Sequence, residues 1–219
     1  DSLKQNQFGL YSALQLNLPN GFSAEAGGRI NHHSVYGTNA VFNITPSVWI
    51  QQRVKFFANI SSGFRTPSLY QLFSEYGNRS LKPETALNSE AGVQVFSKGQ
   101  RYNARVTVFN RAVRNLLFFS YNPVTFQSQY INQDKQKDHG LELELAATPT
   151  DKLSLKAFYT YVTGKITTLK GTKDTTYNNL LRRPAHSVVL TAGYQVAKPF
   201  FVSLNLQYAG ERKDAYFDN

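Results

Sequence analysis

Along most of this chain apolar and polar residues alternate with a period of two, as strands with one apolar and one wetter face require. Phe8, Leu10, Ser12, Leu14, Leu16 and Leu18 share one side of the first segment, and Gln7, Gly9, Tyr11, Ala13, Gln15 and Asn17 the other. Leu18-Pro-Asn-Gly21 then turns the chain, because Pro presets φ and Gly admits a positive one. In the second segment, Phe22 to about His33, Phe22, Ala24, Ala26, Gly28 and Ile30 oppose Ser23, Glu25, Gly27 and Arg29. A third, about Asn39 to Trp49, returns through Ile50, Gln51 and Gln52. In the fourth, Val54, Phe56, Ala58 and Ile60 oppose Arg53, Lys55, Phe57, Asn59 and Ser61. Alternation breaks from Gly63 to about Pro83, which predicts a long structured loop.

The pattern resumes near Thr85. After a turn at Ser97 to Gln100, Tyr102, Ala104, Val106 and Val108 face away from Arg101, Asn103, Arg105 and Thr107. That segment runs on to Phe119, beyond the roughly 3 to 10 residues usual for strands of globular proteins. The next, about Gln127 to Ala147, sets Leu141, Leu143 and Leu145 against Glu142 and Glu144. Thr148 to Asp151 turns it into Leu153, Leu155, Ala157, Tyr159 and Tyr161. Ile166 to Leu180 reads as polar loop, and two strands follow, about Arg183 to Val196 and Phe200 to Gly210. The prediction is all-β, about ten antiparallel strands and no helix, with short turns at one end and longer connections at the other.

Composition narrows what those strands do. Net charge is +10, yet only 17% of residues are charged, and the cations are spread thinly instead of crowding into a phosphate footprint. No nucleic-acid partner is expected. The 16 Phe, 13 Tyr and 14 Gly fit strands and turns with a large aromatic surface to place. No Cys is present, so a disulfide framework and thiolate metal sites are excluded. No stretch nears the 18 or so apolar residues of a spanning helix. A transmembrane β-barrel meets all of this: one side of each strand faces lipid, while the other faces a wet or plugged lumen that accommodates Arg101, Arg105, Glu142 and Glu144. Trp49, Tyr159, Tyr161, Phe200, Phe201 and Tyr208 would form the interfacial girdles.

One stretch carries a family resemblance. Ser61 to Phe96, SSGFRTPSLYQLFSEYGNRSLKPETALNSEAGVQVF, resembles a signature in the barrels of TonB-dependent outer-membrane receptors. Its parts are Gly63-Phe64-Arg65-Thr66-Pro67, then Leu69 with Leu72, Gly77-Asn78, Leu81-Lys82-Pro83-Glu84, and Glu90 at the start of the returning strand. The similarity extends through Val106 to Phe119, through Asn132 and Gly140-Leu141-Glu142, and through Arg183-Pro184. Leu180-Leu181-Arg182-Arg183 and Leu206 to Asp214 look most like the vitamin B12 (cobalamin) branch.

The resemblance implies a piece, residues 1 to 219, of a family barrel of about twenty-two strands, without the plug domain and final strands. It implies location in the outer membrane, with outer-membrane lipid, the rest of the same receptor, the TonB complex (through the plug) and a small nutrient chelate as partners. The function implied is high-affinity uptake, cobalamin first, with siderophore, haem or glycan as alternatives; a soluble β-rich binding module and a barrel lipase or protease are the competing classes. No enzyme activity and no cofactor are expected. Within the motif, Pro67, Gly77 and Pro83 are expected to fix the loop path, Gly by tolerating positive φ, and Arg65 to pair with Glu84. Ligand would lie among the longer loops, where Tyr36, Phe73, Tyr76, Tyr121, Phe126, Tyr177 and Tyr216 offer apolar contact with polar edges. His32 and His33 would point to opposite faces, and neither His139 nor His186 has a liganding neighbour in sequence, so no metal site is expected.

Overall fold

The computed structural model describes residues 4–122, 125–170, 173–177, 180 and 182–213. They form one antiparallel sheet: β1 (Gln7–Asn17), β2 (Phe22–His33), β3 (Gly37–Ile50), β4 (Val54–Arg65), β5 (Glu84–Phe96), β6 (Tyr102–Asn122), β7 (Gln127–Thr150), β8 (Leu153–Lys170), β9 (Lys173–Tyr177), β10 (His186–Ala197) and β11 (Phe200–Ala209). Each strand pairs with its sequence neighbours, except that β10 pairs with β8 and β9 folds back on β8 alone. Such a meander needs only hairpin connections, and it leaves β1 and β11 as unpaired edges.

Register makes the two faces explicit. Leu10 stands opposite Ile30, which stands opposite Ala40; Ile44 faces Ile60; Val93, Val106, Leu143, Tyr159 and Val188 follow in line across the sheet. A slip of one residue would send this set to the other side. The opposite face carries Glu25, Arg29, Lys55, Glu90, Arg105, Glu142 and Glu144, with Arg105 3.5 Å from Glu144. The buried apolar side chains among the described residues are few: Leu72, Leu81, Val113, Ile166 and Leu180. Phe8, Leu10, Leu14, Ile30, Leu204 and Leu206 are all about half exposed or more. That imbalance excludes a soluble module, whose exposed apolar patches stay small, and fits a sheet whose apolar face is covered by lipid.

On the apolar face, aromatics mark two levels. Tyr102, Tyr194 and Phe200 lie toward the short turns; Tyr159, Tyr161 and Tyr208 lie toward the longer connections, where the Tyr159 hydroxyl and His186 Nδ1 are 2.8 Å apart. The eight steps from His186 to Tyr194 cover about 26 Å of strand, roughly 20 Å along the membrane normal at the usual barrel tilt, which lies within the height of a lipid-facing band. Trp49 and Phe201 depart from the expected girdles. Both sit on the polar face, Trp49 against Phe96 (5.6 Å between centroids) with the Lys55 ammonium 5.6 Å from its ring, and Phe201 across Gly193.

Three further expectations change. The region read as polar loop, Ile166 to Leu180, instead extends β8 to Lys170 and adds β9, giving eleven strands. Ile166 and Leu180 are both buried there. The stretch read as free of helix contains α1 (Leu69–Phe73), one turn closed by a capping box between Ser68 and Gln71. The strand read as starting at Arg183 starts at His186, so Arg183 and Pro184 precede it.

Candidate functional site

The end of the sheet that bears the longer connections holds the polar architecture. β4 ends at Arg65, Pro67 is fully buried, and residues 66–83 fold over the extended β6–β7 hairpin. Two asparagines dock that loop. Asn78 Nδ2 donates to the Tyr130 carbonyl (3.1 Å) while its Oδ1 accepts from the Ser80 amide (2.9 Å), and the Tyr130 amide donates to the Tyr76 carbonyl (3.0 Å). Asn132 Oδ1 accepts from the Lys82 amide (2.8 Å), and its Nδ2 donates to the carbonyls of Lys82 (3.0 Å) and Asn115 (2.7 Å). A side-chain amide offering donor and acceptor together substitutes for a strand neighbour where the loop has none.

Asn115 reciprocates. Its backbone is left-handed (φ 53°), a conformation Asn tolerates, and its Nδ2 donates to the Pro83 carbonyl (3.3 Å). Glu84 Oε2 accepts from Arg65 Nη2 (2.9 Å) and from the Leu117 amide (3.2 Å), so the first residue of β5 ties β4 to β6. Leu81 is buried, and the Tyr36 hydroxyl donates to its carbonyl (3.3 Å), joining the β2–β3 turn to the same loop. Gly77 has no positive φ; it is needed because a Cβ there would lie 2.8 Å from the Leu72 carbonyl. Phe64 faces lipid opposite Thr85, and Gly63 faces Ala86.

A second cluster lies on the polar face where β6, β7 and β8 rise beyond the aromatic level. Asp138 is 1% exposed, and its carboxylate accepts from Arg111 Nη2, Arg183 Nη1 (3.3 Å) and Gln136 Nε2 (3.0 Å). A buried carboxylate is tolerated only with such partners. Two guanidiniums on one carboxylate leave local positive charge, and both reach solvent. The sequence pattern placed Arg183 in a motif and put Asn115 in the similar stretch Val106 to Phe119, but it did not single out Arg111, Gln136 or Asp138. Parity in β7 gave one signal, since Gln136 and Asp138 share the face of Gly140 and Glu142.

Glu90, expected at a strand start, sits mid-strand in β5 opposite Asn59 and Phe109. Gly140 lies opposite Phe109, whose ring occupies the space a Cβ would take, and Glu142 lies between Thr107 and Thr160. Of the aromatic candidates, Tyr36 is half-buried against His33 (5.3 Å), and burial raises its phenol pKa. Phe73 carries the Arg79 guanidinium 5.0 Å from its ring. Tyr76 packs edge-on against Phe119 (5.6 Å), and the Glu75 carboxylate raises its pKa. Both phenols therefore stay protonated donors at neutral pH.

Tyr76, Glu75, Phe126 and Gln129 line an open cleft of about 550 Å³. Phe126, at the β6–β7 tip, is 77% exposed, and Tyr121 is partly exposed. The Tyr177 side chain and Tyr216 lie outside the described residues. His33 is buried with Nδ1 accepting from the Val35 amide (3.1 Å), and His32 pairs with Thr38 on the other face. No cluster of three or more His or carboxylate groups suited to a metal occurs among the described residues.

Comparison with known proteins places this architecture. All of residues 1–219 match the family described as TonB dependent receptor-like, beta-barrel. The chain is 24% identical over 217 residues to the iron-regulated outer membrane virulence protein of Vibrio cholerae, covering 87% of this chain and 32% of that protein. It is 24% identical over 242 residues to the ferric enterobactin receptor of Pseudomonas aeruginosa, covering 96% and 31%. Its fold is similar to the siderophore receptor PirA from Acinetobacter baumannii, with a TM-score of 0.74 at 18% identity over 96% of this chain and 34% of that one. The chain spans about a third of the length of the curated relatives it matches. The match along its whole length, together with the lipid-facing sheet, shows that this chain belongs to the TonB-dependent receptor β-barrel family, a family of outer-membrane transport receptors and not of enzymes.

Proposed function

We propose that this chain forms part of the barrel wall of an outer-membrane receptor that imports a ferric siderophore. The observation that carries the reading is the positive cluster at the loop end, where Arg111 and Arg183 converge on Asp138 with both guanidiniums reaching solvent. A ferric tris-catecholate is a polyanion, and a cationic mouth raises its local concentration and rate of capture. The relatives named for iron and enterobactin support the same reading. Cobalamin, expected from Leu180 to Arg183 and Leu206 to Asp214, draws no support from them, and a neutral glycan lacks the charge this mouth complements.

Under this proposal the wall performs no covalent step. Phe126, Tyr76, Tyr121 and Phe73 supply aromatic edges to the ligand, with Tyr177 and Tyr216 retained on the sequence pattern alone, whereas Tyr36 is engaged in loop packing. The motif from Gly63 to Glu90, with Asn132, Gly140, Glu142 and Pro184, serves the wall's own structure, and Arg183 serves both the wall, through Asp138, and the cationic mouth. The exposed edges β1 and β11 pair with further strands of the receptor, since an open edge in hydrocarbon leaves each backbone group unsatisfied at several kcal/mol. A plug within the lumen would meet the polar face and contact TonB.

Calorimetric titration of the full-length receptor with ferric enterobactin and with cyanocobalamin tests the proposal. Saturable binding of the ferric chelate tighter than about 1 μM, with none of cobalamin, is expected. Cobalamin binding, or binding of neither, would overturn it.

A further inference from the structure

The short-turn end carries a charge pattern that the ligand path does not use. Its turns hold Arg53, Lys98, Arg101, Lys152 and Lys198 against a single carboxylate, Asp151. Arg101 takes that carboxylate at 2.6 Å, which leaves one exposed cation on each of the β3–β4, β5–β6, β7–β8 and β10–β11 turns. None of these four makes an ion pair among the described residues. Consecutive turns stand two strands apart, roughly 10 Å, so the cations form an arc along the rim and not a single pocket. Backbone geometry fixes the tips. Gln51 and Gln52 close a two-residue hairpin with φ of 50° and 55°, and Gln195 Nε2 donates to the carbonyls of Ala197 (2.6 Å) and Phe200 (3.2 Å) around the turn that bears Lys198.

Depth and charge together select the partner. The Ser97 amide donates to the Tyr102 carbonyl (2.9 Å) and the Gln195 amide to the Lys152 carbonyl (2.8 Å), so Lys98 and Lys152 lie within one or two residues of the aromatic level marked by Tyr102 and Tyr194. Lys198 precedes Phe200 by two residues. One to two residues is about 3–7 Å of strand, and less along the normal at the usual barrel tilt. The headgroup layer adds about 5–8 Å to each side of the hydrocarbon, so these charges stand at the depth of phospholipid phosphates. A zwitterionic headgroup would bring an ammonium that meets no free carboxylate here, whereas a headgroup of net negative charge is matched. A soluble acidic protein fits less well, because the charges line a rim level with the headgroups instead of projecting beyond it. We infer that Arg53, Lys98, Lys152 and Lys198 form a docking rim for anionic phospholipid of the periplasmic leaflet. The inference rests on the apolar face meeting lipid with its short turns inward, and it is independent of which nutrient is carried.

The test uses the full-length receptor in detergent, with bound lipid counted by native mass spectrometry as phosphatidylglycerol or phosphatidylethanolamine is titrated in. Wild type is expected to hold phosphatidylglycerol at least about tenfold more tightly than phosphatidylethanolamine. Replacing three lysines together, Lys98→Gln, Lys152→Gln and Lys198→Gln, is expected to weaken phosphatidylglycerol by at least about tenfold and to leave phosphatidylethanolamine unchanged. The matching Lys→Arg variant retains binding, because it keeps the charge. Equal retention of the two lipids by wild type, the result expected if the rim serves an acidic protein instead, would overturn the inference. Unchanged phosphatidylglycerol affinity in the Gln variant would overturn it as well. Should the triple variant fail to assemble, Lys198→Gln alone takes its place, with a loss of about fivefold expected and no change refuting the rim. None of the four cations lies at the loop end, so binding of the ferric chelate is the same in every variant, and failure of this inference is distinguishable from failure of the proposed function.

Discussion

The two ends of the sheet solve chain reversal by different chemistry. At the turn end, residues 18–21, 51–53 and 97–101 close through backbone contacts between near neighbours: the Gly21 amide donates to Leu18 (3.1 Å), Arg53 to Ile50 (3.0 Å) and Gln100 to Ser97 (2.9 Å). At the loop end, closure depends on side chains distant in sequence, with Asn132 holding Lys82 and Glu84 holding Leu117. The contrast is sharpest for the same ion pair in two settings. Arg101 meets Asp151 at 2.6 Å with Asp151 89% exposed, whereas Arg111 and Arg183 meet an Asp138 that is almost fully buried. Position in the barrel, and not the pairing itself, decides what the pair does.

Substitutions in the full-length receptor break this comparison in a definite order. Asp138→Ala removes the acceptor shared by two guanidiniums inside the wall. It should destabilise by about 3 kcal/mol, the lower end for a broken buried pair because both arginines reach solvent, and a urea unfolding midpoint would register it. Asn132→Ala leaves the Lys82 amide and two carbonyls without their partner, and a loss of about 2 kcal/mol is expected, seen as faster amide hydrogen exchange across residues 66–83. Glu84→Ala should cost about 1 kcal/mol more than Arg65→Ala, because Glu84 also accepts from Leu117 while Arg65 is more than half exposed; matched thermal melts separate them. At the turn end, Asp151→Ala should stay within about 0.5 kcal/mol of wild type in the same melts.

The comparison also explains what was legible beforehand. Strands that cross lipid must keep one face apolar over their whole length, so period two survives in the sequence and their number and order follow from it. β9, Lys173-Asp-Thr-Thr-Tyr177, lies beyond the aromatic level, where no lipid enforces alternation, and it reads as polar loop. α1 is too short for a periodic signal, yet Ser68-x-x-Gln71 spelled its cap. Trp49 and Phe201 were assigned by residue type to a girdle, although parity with Ser47 and Ser203 already put them on the polar face.

The candidate site was legible only where a family motif carried it. Arg65, Asn78, Glu84 and Asn132 were singled out by the resemblance, but the bonds from Asn132 to Lys82 and Asn115 arise from sheet register. Asp138 looked like one charge in a mixed run, Gln133 to His139, and its burial follows from Arg111 and Arg183 arriving from other elements. Contacts of this kind are set by tertiary geometry and leave no local pattern.

The most direct test of the central claim, a membrane wall with its longer connections outward, uses the absence of Cys in this chain. Single substitutions Arg79→Cys, Lys152→Cys and Leu143→Cys in the full-length receptor would be probed in intact cells with a membrane-impermeant thiol reagent, and in vesicles with a nitroxide lipid that quenches a fluorescent thiol label. The account predicts labelling of the first in intact cells, labelling of the second only after the outer membrane is permeabilised, and lipid quenching of the third. Labelling at position 152 in intact cells, or free aqueous access to position 143, would contradict it.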